Sequence, residues 1–127
     1  MLKILLFIGA GSFLGGVSRF LTTRYIQNAV LSGFPYGTLV VNILGCFIIG
    51  FLFGLADKGS LNNTEWKLFL TVGFCGGFTT FSAFSLENMM LLRDGAWFHF
   101  MVYTLLSIVL GLLATVGGYS VTKLYSV

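Results

Sequence analysis

Apolar residues form four long runs along the chain, at about residues 2–23, 38–56, 66–92 and 97–122. Short polar connections separate the runs. Each run has about the 20 residues that an α-helix needs to cross roughly 30 Å of hydrocarbon. A chain of this length is too short to close a membrane β-barrel, so helices are expected. The pattern predicts an all-α integral membrane protein with four transmembrane helices in a single domain, residues 1–127.

Composition agrees with lipid as the solvent, because 57% of the residues are hydrophobic and 9% are charged. Soluble domains carry about 25% charged residues. The start of the first run resembles a secretory signal, since Lys3 precedes an apolar stretch and Ala10 to Ser12 are small enough for a cleavage site. Its hydrophobicity continues beyond them, so we expect it to be retained as the first span.

Charge and cysteine content argue against several classes of partner. The net charge of +3 is small and dispersed, so we expect no nucleic-acid partner. Cys46 and Cys75 lie in apolar stretches, which makes a disulfide framework unexpected. His99 is the single histidine, and no His/Cys cluster predicts a metal site.

Basic residues are almost balanced between the two sides of the membrane. With four spans, Lys3, Lys58, Lys67 and Lys123 fall on one side, and Arg24 and Arg93 fall on the other, with Arg19 near the end of the first span. Orientation normally follows a clear Lys/Arg excess. The weak bias allows insertion both ways, and hence an antiparallel dimer, but it is also compatible with one fixed orientation.

Small and polar residues recur every four positions in two of the runs. The stripes are Thr38, Asn42, Cys46, Gly50 and Gly54 in the second run and Tyr103, Ser107, Gly111, Thr115 and Tyr119 in the fourth. Such a stripe occupies one helix face. It indicates either a polar path or close helix packing. Two GxxxG patterns, Gly11–Gly15 and Gly50–Gly54, also suit close packing.

The third run contains a plausible helix break. Gly76 and Gly77 are followed by Thr79 and Thr80, and glycine and threonine are weak helix formers. A break would free backbone carbonyls near the membrane midplane, where they can hold a cation. The alternative is a flexible but continuous helix.

An aromatic face follows this point. Phe81, Phe84, Ser85 and Asn88 share one face by their spacing. Phenylalanine ring edges are electropositive, so they can meet an anion without a fixed charge. Asn42 and the serine and threonine hydroxyls could add neutral donors. The alternative is that the two rings simply face lipid or the core.

Charged residues inside the spans are few, and two of them are Arg19, near the end of the first span, and Glu87, toward the end of the third. Each is either an end residue that snorkels to the interface or a structural partner for a buried group.

Three blocks of sequence resemble those of the Fluc/CrcB family of fluoride channels, and they occur in the family's order. The resemblance extends over nearly the whole chain. The blocks are Gly15-Gly16-Val17-Ser18-Arg19-Phe20, the stretch from Gly37 to Phe47, and Gly73 to Glu87, which contains GFCGG, then TTFS, a second Phe and Glu. The third block is the most specific.

The resemblance implies an antiparallel, dual-topology homodimer in a bacterial-type plasma (inner) membrane, with two fluoride pathways at the subunit interface. Its activity would be passive export of cytoplasmic fluoride, which is not an enzymatic activity. Phe81 and Phe84 match the ring-edge fluoride ligands, and Asn42 matches the pore asparagine. The backbone carbonyls of Gly76 and Thr79 match the ligands of a central structural Na⁺.

The resemblance also implies roles for further residues. Tyr103, Ser107 and Thr115 match a polar track on the last helix, and Ser82 belongs to the matching TTFS block on the fluoride pathway. The chain departs at Gly111, where a serine is common in that track. Arg19 matches a basic residue near the vestibule, and Glu87 matches a carboxylate near the fluoride path.

Three other readings compete. Proton-coupled exporters of the small multidrug resistance type have similar length and four spans, but they resemble each other in a first-span glutamate, and this first span has no acid. A non-conducting assembly subunit would show no ion flux. An enzyme is not expected, because no nucleophile, base and orienting group converge.

Overall fold

The computed structural model describes residues 1–30 and 33–124. Positions 31, 32 and 125–127 of the predicted domain lie outside the described residues. The long helices are α1 (Leu2–Ala29), α2 (Tyr36–Asp57) and, after a composite third span, α6 (Trp97–Leu124). The third span contains α3 (Thr64–Leu68), a π-helical segment (Phe69–Cys75), α4 (Gly76–Phe78) and α5 (Phe81–Arg93).

Four helical stretches are long and apolar enough to cross a membrane: Leu2–Ala29, Tyr36–Asp57, Thr64–Arg93 and Trp97–Leu124. Every regular element in the described part of the chain is helical. The predicted all-α class, the four spans and the interruption of the third span are therefore confirmed.

Helix α1 continues to Ala29, beyond the end that the hydrophobic pattern predicted near Thr23. Gln27 explains the extension, because its side chain joins the helix to the start of α2. Its Nε2 donates to the carbonyl of Phe34 at 3.0 Å, and its Oε1 accepts from the amide of Gly37 at 3.0 Å. The apolar run ends where polar residues begin, but the hydrogen bonds of Gln27 stabilise the helix beyond that point.

Glycines allow α2 and α6 to pack backbone against backbone. A Cβ on Gly50 would collide with the carbonyl of Thr115, and one on Gly118 would collide with the carbonyl of Phe47. One turn further along α2, a Cβ on Gly54 would collide with the side chain of Thr122. The second GxxxG pattern therefore lies in a real helix contact.

The first GxxxG pattern has a similar role against the third span. A Cβ on Gly11 would overlap the carbonyl of Phe69, and one on Gly15 would overlap the carbonyl of Phe74. From the other side, a Cβ on Gly77 would lie 2.7 Å from the carbonyl of Ser12. Helix α1 thus lies directly against the π-helical segment and α4.

The third span is broken at its threonines rather than at its glycines. Thr79 (φ −94°, ψ 156°) and Thr80 (φ −152°, ψ 121°) are extended, whereas Gly76 remains helical (φ −63°, ψ −37°). Thr80 is the N-cap of α5, because its Oγ1 accepts from the amide of Ala83 at 3.1 Å. The threonine cap stabilises the interruption, while Gly77 provides close contact with α1.

Candidate functional site

A cavity of about 460 Å³ lies beside the break. It is lined by residues of the second, third and fourth spans: Asn42, Gly45, Cys46, Ile49, Thr71, Cys75, Gly76, Thr79, Thr80, Phe81, Phe84, Ser107 and Ile108. None of these lining side chains is charged. Helix α5 begins at this cavity, so the positive end of its macrodipole lies there. The wall is therefore mostly apolar with a few neutral polar groups, and the start of α5 makes it mildly electropositive without a fixed cation.

Phe81 and Phe84 stand side by side in the cavity wall. Their ring centroids are 5.7 Å apart, with 42° between the ring planes. Phe84 is half-buried and packs on Tyr103, with centroids 5.1 Å apart. Phe81 is 79% exposed. One ring is thus held by the core, and the other extends from the surface of the single chain.

Asn42 pairs with the backbone at the break. Its Oδ1 accepts from the amide of Thr80 at 2.9 Å, and its Nδ2 donates to the carbonyl of Thr80 at 3.2 Å. The side chain amide thus replaces the backbone partners that Thr80 lacks in its extended conformation. One Nδ2 hydrogen remains available beyond the bond to Thr80, because a primary amide has two.

The break releases the carbonyls of Gly76 and Thr79. In a continuous helix the Thr80 amide would donate to the Gly76 carbonyl, but here it donates to Asn42. No donor within residues 1–30 and 33–124 bonds either carbonyl oxygen. Both residues line the cavity. Carbonyl oxygens without donors are suitable ligands for a hard cation.

Glu87 is held by two hydroxyl groups. Thr38 Oγ1 donates to Oε2 at 2.9 Å, and Tyr103 Oη donates to Oε1 at 3.0 Å. Thr38 is 4% exposed and Tyr103 is fully buried. The carboxyl group thus ties the second, third and fourth spans together, which is the arrangement of a structural partner.

Arg19 hydrogen-bonds to the backbone on the N-terminal side of the break. Its Nε donates to the carbonyl of Gly77 at 3.2 Å. Sequence reasoning named Arg19 but could not name this acceptor, because the contact joins positions far apart in the chain.

The polar residues of α6 do not all reach the cavity. Ser107 lines it, and its buried Oγ has no hydrogen-bond partner within the described chain. Thr115 does not line it, and its Oγ1 donates to the carbonyl of Gly111 at 3.1 Å. A Cβ on Gly111 would lie 3.6 Å from Cys46 Sγ, which is an ordinary contact. Tyr103 lies behind Phe84 and bonds Glu87.

Ser82 is exposed in the first turn of α5, where its Oγ lies 3.2 Å from Thr80 Oγ1. The structure therefore gathers Asn42, Gly76, Thr79, Phe81, Phe84 and Ser107 around the cavity, and it leaves Tyr103, Thr115 and Ser82 outside the cavity lining.

Sequence reasoning missed several lining residues. Thr71 and Cys75 precede Thr79 at intervals of four, so their shared face was present in the sequence as a signal. Gly45 lies three residues after Asn42, so its place on the same face was also present in the spacing. A Cβ there would collide with Thr79 Cγ2, so the glycine makes room for the broken span.

Comparison with known proteins identifies the family. A family model described as "CrcB-like protein, Camphor Resistance (CrcB)" matches residues 6–119. A "Fluoride-specific ion channel FluC" from Chlorobium phaeobacteroides (strain BS1) is 48% identical over 122 residues, covering 96% of this chain and 94% of the relative. Proteins of the same name from Azobacteroides pseudotrichonymphae and Flavobacterium psychrophilum are 42% and 44% identical, covering 98% and 96% of this chain and 100% and 98% of the relatives. With these matches and its four apolar helices, the chain is a multi-pass membrane protein that belongs to the CrcB family.

Proposed function

We propose that this protein is a fluoride-selective channel that exports cytoplasmic fluoride passively across a bacterial-type plasma membrane. The observation that carries the proposal is the uncharged cavity at the break, lined by Phe81, Phe84, Asn42 and Ser107, in a chain whose relatives bear the name of a fluoride-specific channel. Two copies form an antiparallel homodimer with two pathways at their interface.

The chemistry of the cavity suits a small anion. A channel must compensate for the water that the ion loses, yet it must release the ion again. Ring edges of Phe81 and Phe84 and the Ser107 hydroxyl offer partial positive charge without the strong hold of a fixed cation. The free hydroxyl of Ser107 is the most direct support for a donor role, because its oxygen is buried without a partner in the described chain.

The exposure of Phe81 supports a second copy of the chain. Most of its ring lies outside the core of the single chain, at the open side of the cavity. A partner at this face would close the cavity into a path. Thr115 then extends the path along α6 beyond Ser107, while the fully buried Tyr103 supports its wall through Phe84 and Glu87.

A structural Na⁺ fits the released carbonyls. Gly76 and Thr79 offer two carbonyl oxygens that receive no hydrogen bond from the described residues, and two copies would offer four. A bound Na⁺ would supply the positive charge that holds these oxygens together at the interface. The chain itself provides the extended backbone that presents them.

Passive export needs only a selective path. Hydrogen fluoride enters from acid surroundings, dissociates in the near-neutral cytoplasm and is trapped there as the anion. A negative-inside potential drives the anion outward, with about 2.3 kcal/mol per charge at 100 mV.

Fluoride-electrode recording from liposomes that contain only this protein tests the proposal. We expect rapid efflux that excess chloride does not inhibit, and we expect Phe81→Ile to abolish it while the dimer still assembles. Phe98→Ile is the matched control, since Phe98 is 77% exposed on α6 and lies outside the cavity. Undiminished efflux in Phe81→Ile would refute the aromatic role, and no efflux from the unmodified protein would refute the channel.

A further inference from the structure

One face of α1 follows the broken span for three consecutive turns. Gly11, Gly15 and Arg19 are spaced four residues apart, so they share this face. The two glycines contact the backbone of Phe69 and Phe74. Arg19, one turn further on, places its Nε 3.2 Å from the carbonyl of Gly77.

This carbonyl has lost its helical donor. In a continuous helix the Gly77 carbonyl would accept from the amide of Phe81, four residues on. The chain is instead extended at Thr79 and Thr80, and α5 starts anew at Phe81. A backbone carbonyl left unpaired in hydrocarbon is costly, so the donor from Arg19 stabilises the broken conformation.

Asn42 and Arg19 hydrogen-bond to the backbone at the two ends of the break. Asn42, on α2, pairs with both backbone groups of Thr80. Arg19, on α1, pairs with Gly77. The segment between these two anchors contains Thr79 and adjoins Gly76, the residues whose carbonyls are proposed to bind Na⁺.

We propose that Arg19 is a positioning residue: its N–H donor fixes the carbonyl of Gly77 and thereby keeps the third span broken. In this role Arg19 acts through its hydrogen bond. The alternative is that its positive charge attracts anions to the mouth of the fluoride path. The inference rests on the proposed channel function only for its flux measurements, because the hydrogen bond and the break exist in the single chain.

Three substitutions separate the donor from the charge. Arg19→Met keeps a long side chain and removes both. Arg19→Gln removes the charge but keeps an N–H donor, because its amide nitrogen is attached to Cδ, as Nε is in arginine. Arg24→Met is the matched control, since Arg24 is exposed on the same helix and its guanidinium lies 5.8 Å from the Phe20 ring centroid. Arg19→Met and Arg24→Met each remove one positive charge, and both charges lie toward the same end of α1.

Hydrogen–deuterium exchange of the purified protein in lipid nanodiscs gives a readout that does not need transport. We expect Arg19→Met to speed exchange of the amides of Thr80 and Ala83 about tenfold, as for loss of a charge-assisted hydrogen bond. Amides in α6 should keep their rates. Arg19→Gln should stay within about threefold of the unmodified protein, because a neutral donor is weaker but present.

Fluoride efflux is then measured for the same variants at low and high ionic strength. We expect Arg19→Met to lose at least about tenfold in rate at both salt concentrations, Arg19→Gln to retain most of the rate, and Arg24→Met to match the unmodified protein. Charge attraction would instead weaken Arg19→Gln and Arg24→Met, most strongly at low salt.

Unchanged exchange at Thr80 and Ala83 in Arg19→Met would overturn the inference, as would an Arg19→Gln variant that behaves like Arg19→Met. An unmodified protein without fluoride efflux would overturn the channel proposal while leaving the exchange experiment intact.

Discussion

A carboxyl group within an apolar helix is usually a sign of function, but Glu87 has two structural partners. The hydroxyls of Thr38 and Tyr103 donate to its two oxygens. These bonds join three spans at one point near the Phe84 ring, which packs on Tyr103. The residue therefore fixes the wall behind the cavity.

Removing one of these donors should destabilise the fold. We expect Tyr103→Phe to lower the free energy of unfolding by about 1–3 kcal/mol, because the carboxyl oxygen is left without its buried hydroxyl partner. Chemical unfolding in mild detergent measures the change. Tyr25→Phe serves as the control, since Tyr25 is 76% exposed. Equal stability of the two variants would show that the bond to Glu87 contributes nothing.

At the scale of helices, close contact is concentrated at particular glycines. Gly117 and Gly118 are neighbours on α6 with opposite surroundings. A Cβ on Gly118 would overlap the backbone of α2, whereas a Cβ on Gly117 meets no described atom within 4 Å. The α2–α6 contact therefore depends on one residue of the pair.

This pair gives a matched test of the contact. We expect Gly118→Ala to destabilise the protein by about 1–3 kcal/mol through overpacking. Gly117→Ala should be neutral or stabilising by up to about 1 kcal/mol, because alanine is the better helix former. Thermal unfolding of the purified protein distinguishes the two. Loss of stability in both variants, or in neither, contradicts the observed packing.

The whole molecule raises the question of orientation. The four spans place Lys3, Lys58, Lys67 and Lys123 on one side, against Arg24, Arg93 and Arg19 near the other. This near balance is the feature that an antiparallel dimer of one chain requires, because both orientations must be populated.

Shifting the balance should therefore control assembly. We expect Arg24→Gln/Arg93→Gln to insert in one orientation and Lys58→Gln/Lys67→Gln to insert in the other. Each should lose fluoride efflux when expressed alone, and co-expression should restore it. Cells challenged with fluoride provide the measurement, with topology checked by labelling introduced cysteines. Full activity of each variant by itself would contradict the antiparallel pair.

The sequence alone was sufficient for the features that depend on solvent and period. The length of the apolar runs predicted four helices. In lipid the backbone has no water to bond, so its N–H and C=O groups must pair within the helix. Helical spacing placed Asn42 and Cys46, four residues apart, on one face and Phe81 and Phe84, three residues apart, on another, and both pairs line the cavity. Fluoride as the transported ion was predicted from the resemblance to a family and not from the spacing of residues.

Contacts between distant segments were decided by the tertiary structure. The stripe on α2 has two different surroundings. Asn42 and Cys46 line the cavity, whereas Gly50 and Gly54 pack on α6. Residue type cannot make this distinction, because small residues suit both a path and a contact. The exact position of the break, at the threonines, depends on Asn42 and Arg19, which reach it from other helices. Hydrogen bonds across the fold follow from where the helices lie, and periodicity within one helix carries no information about its neighbours.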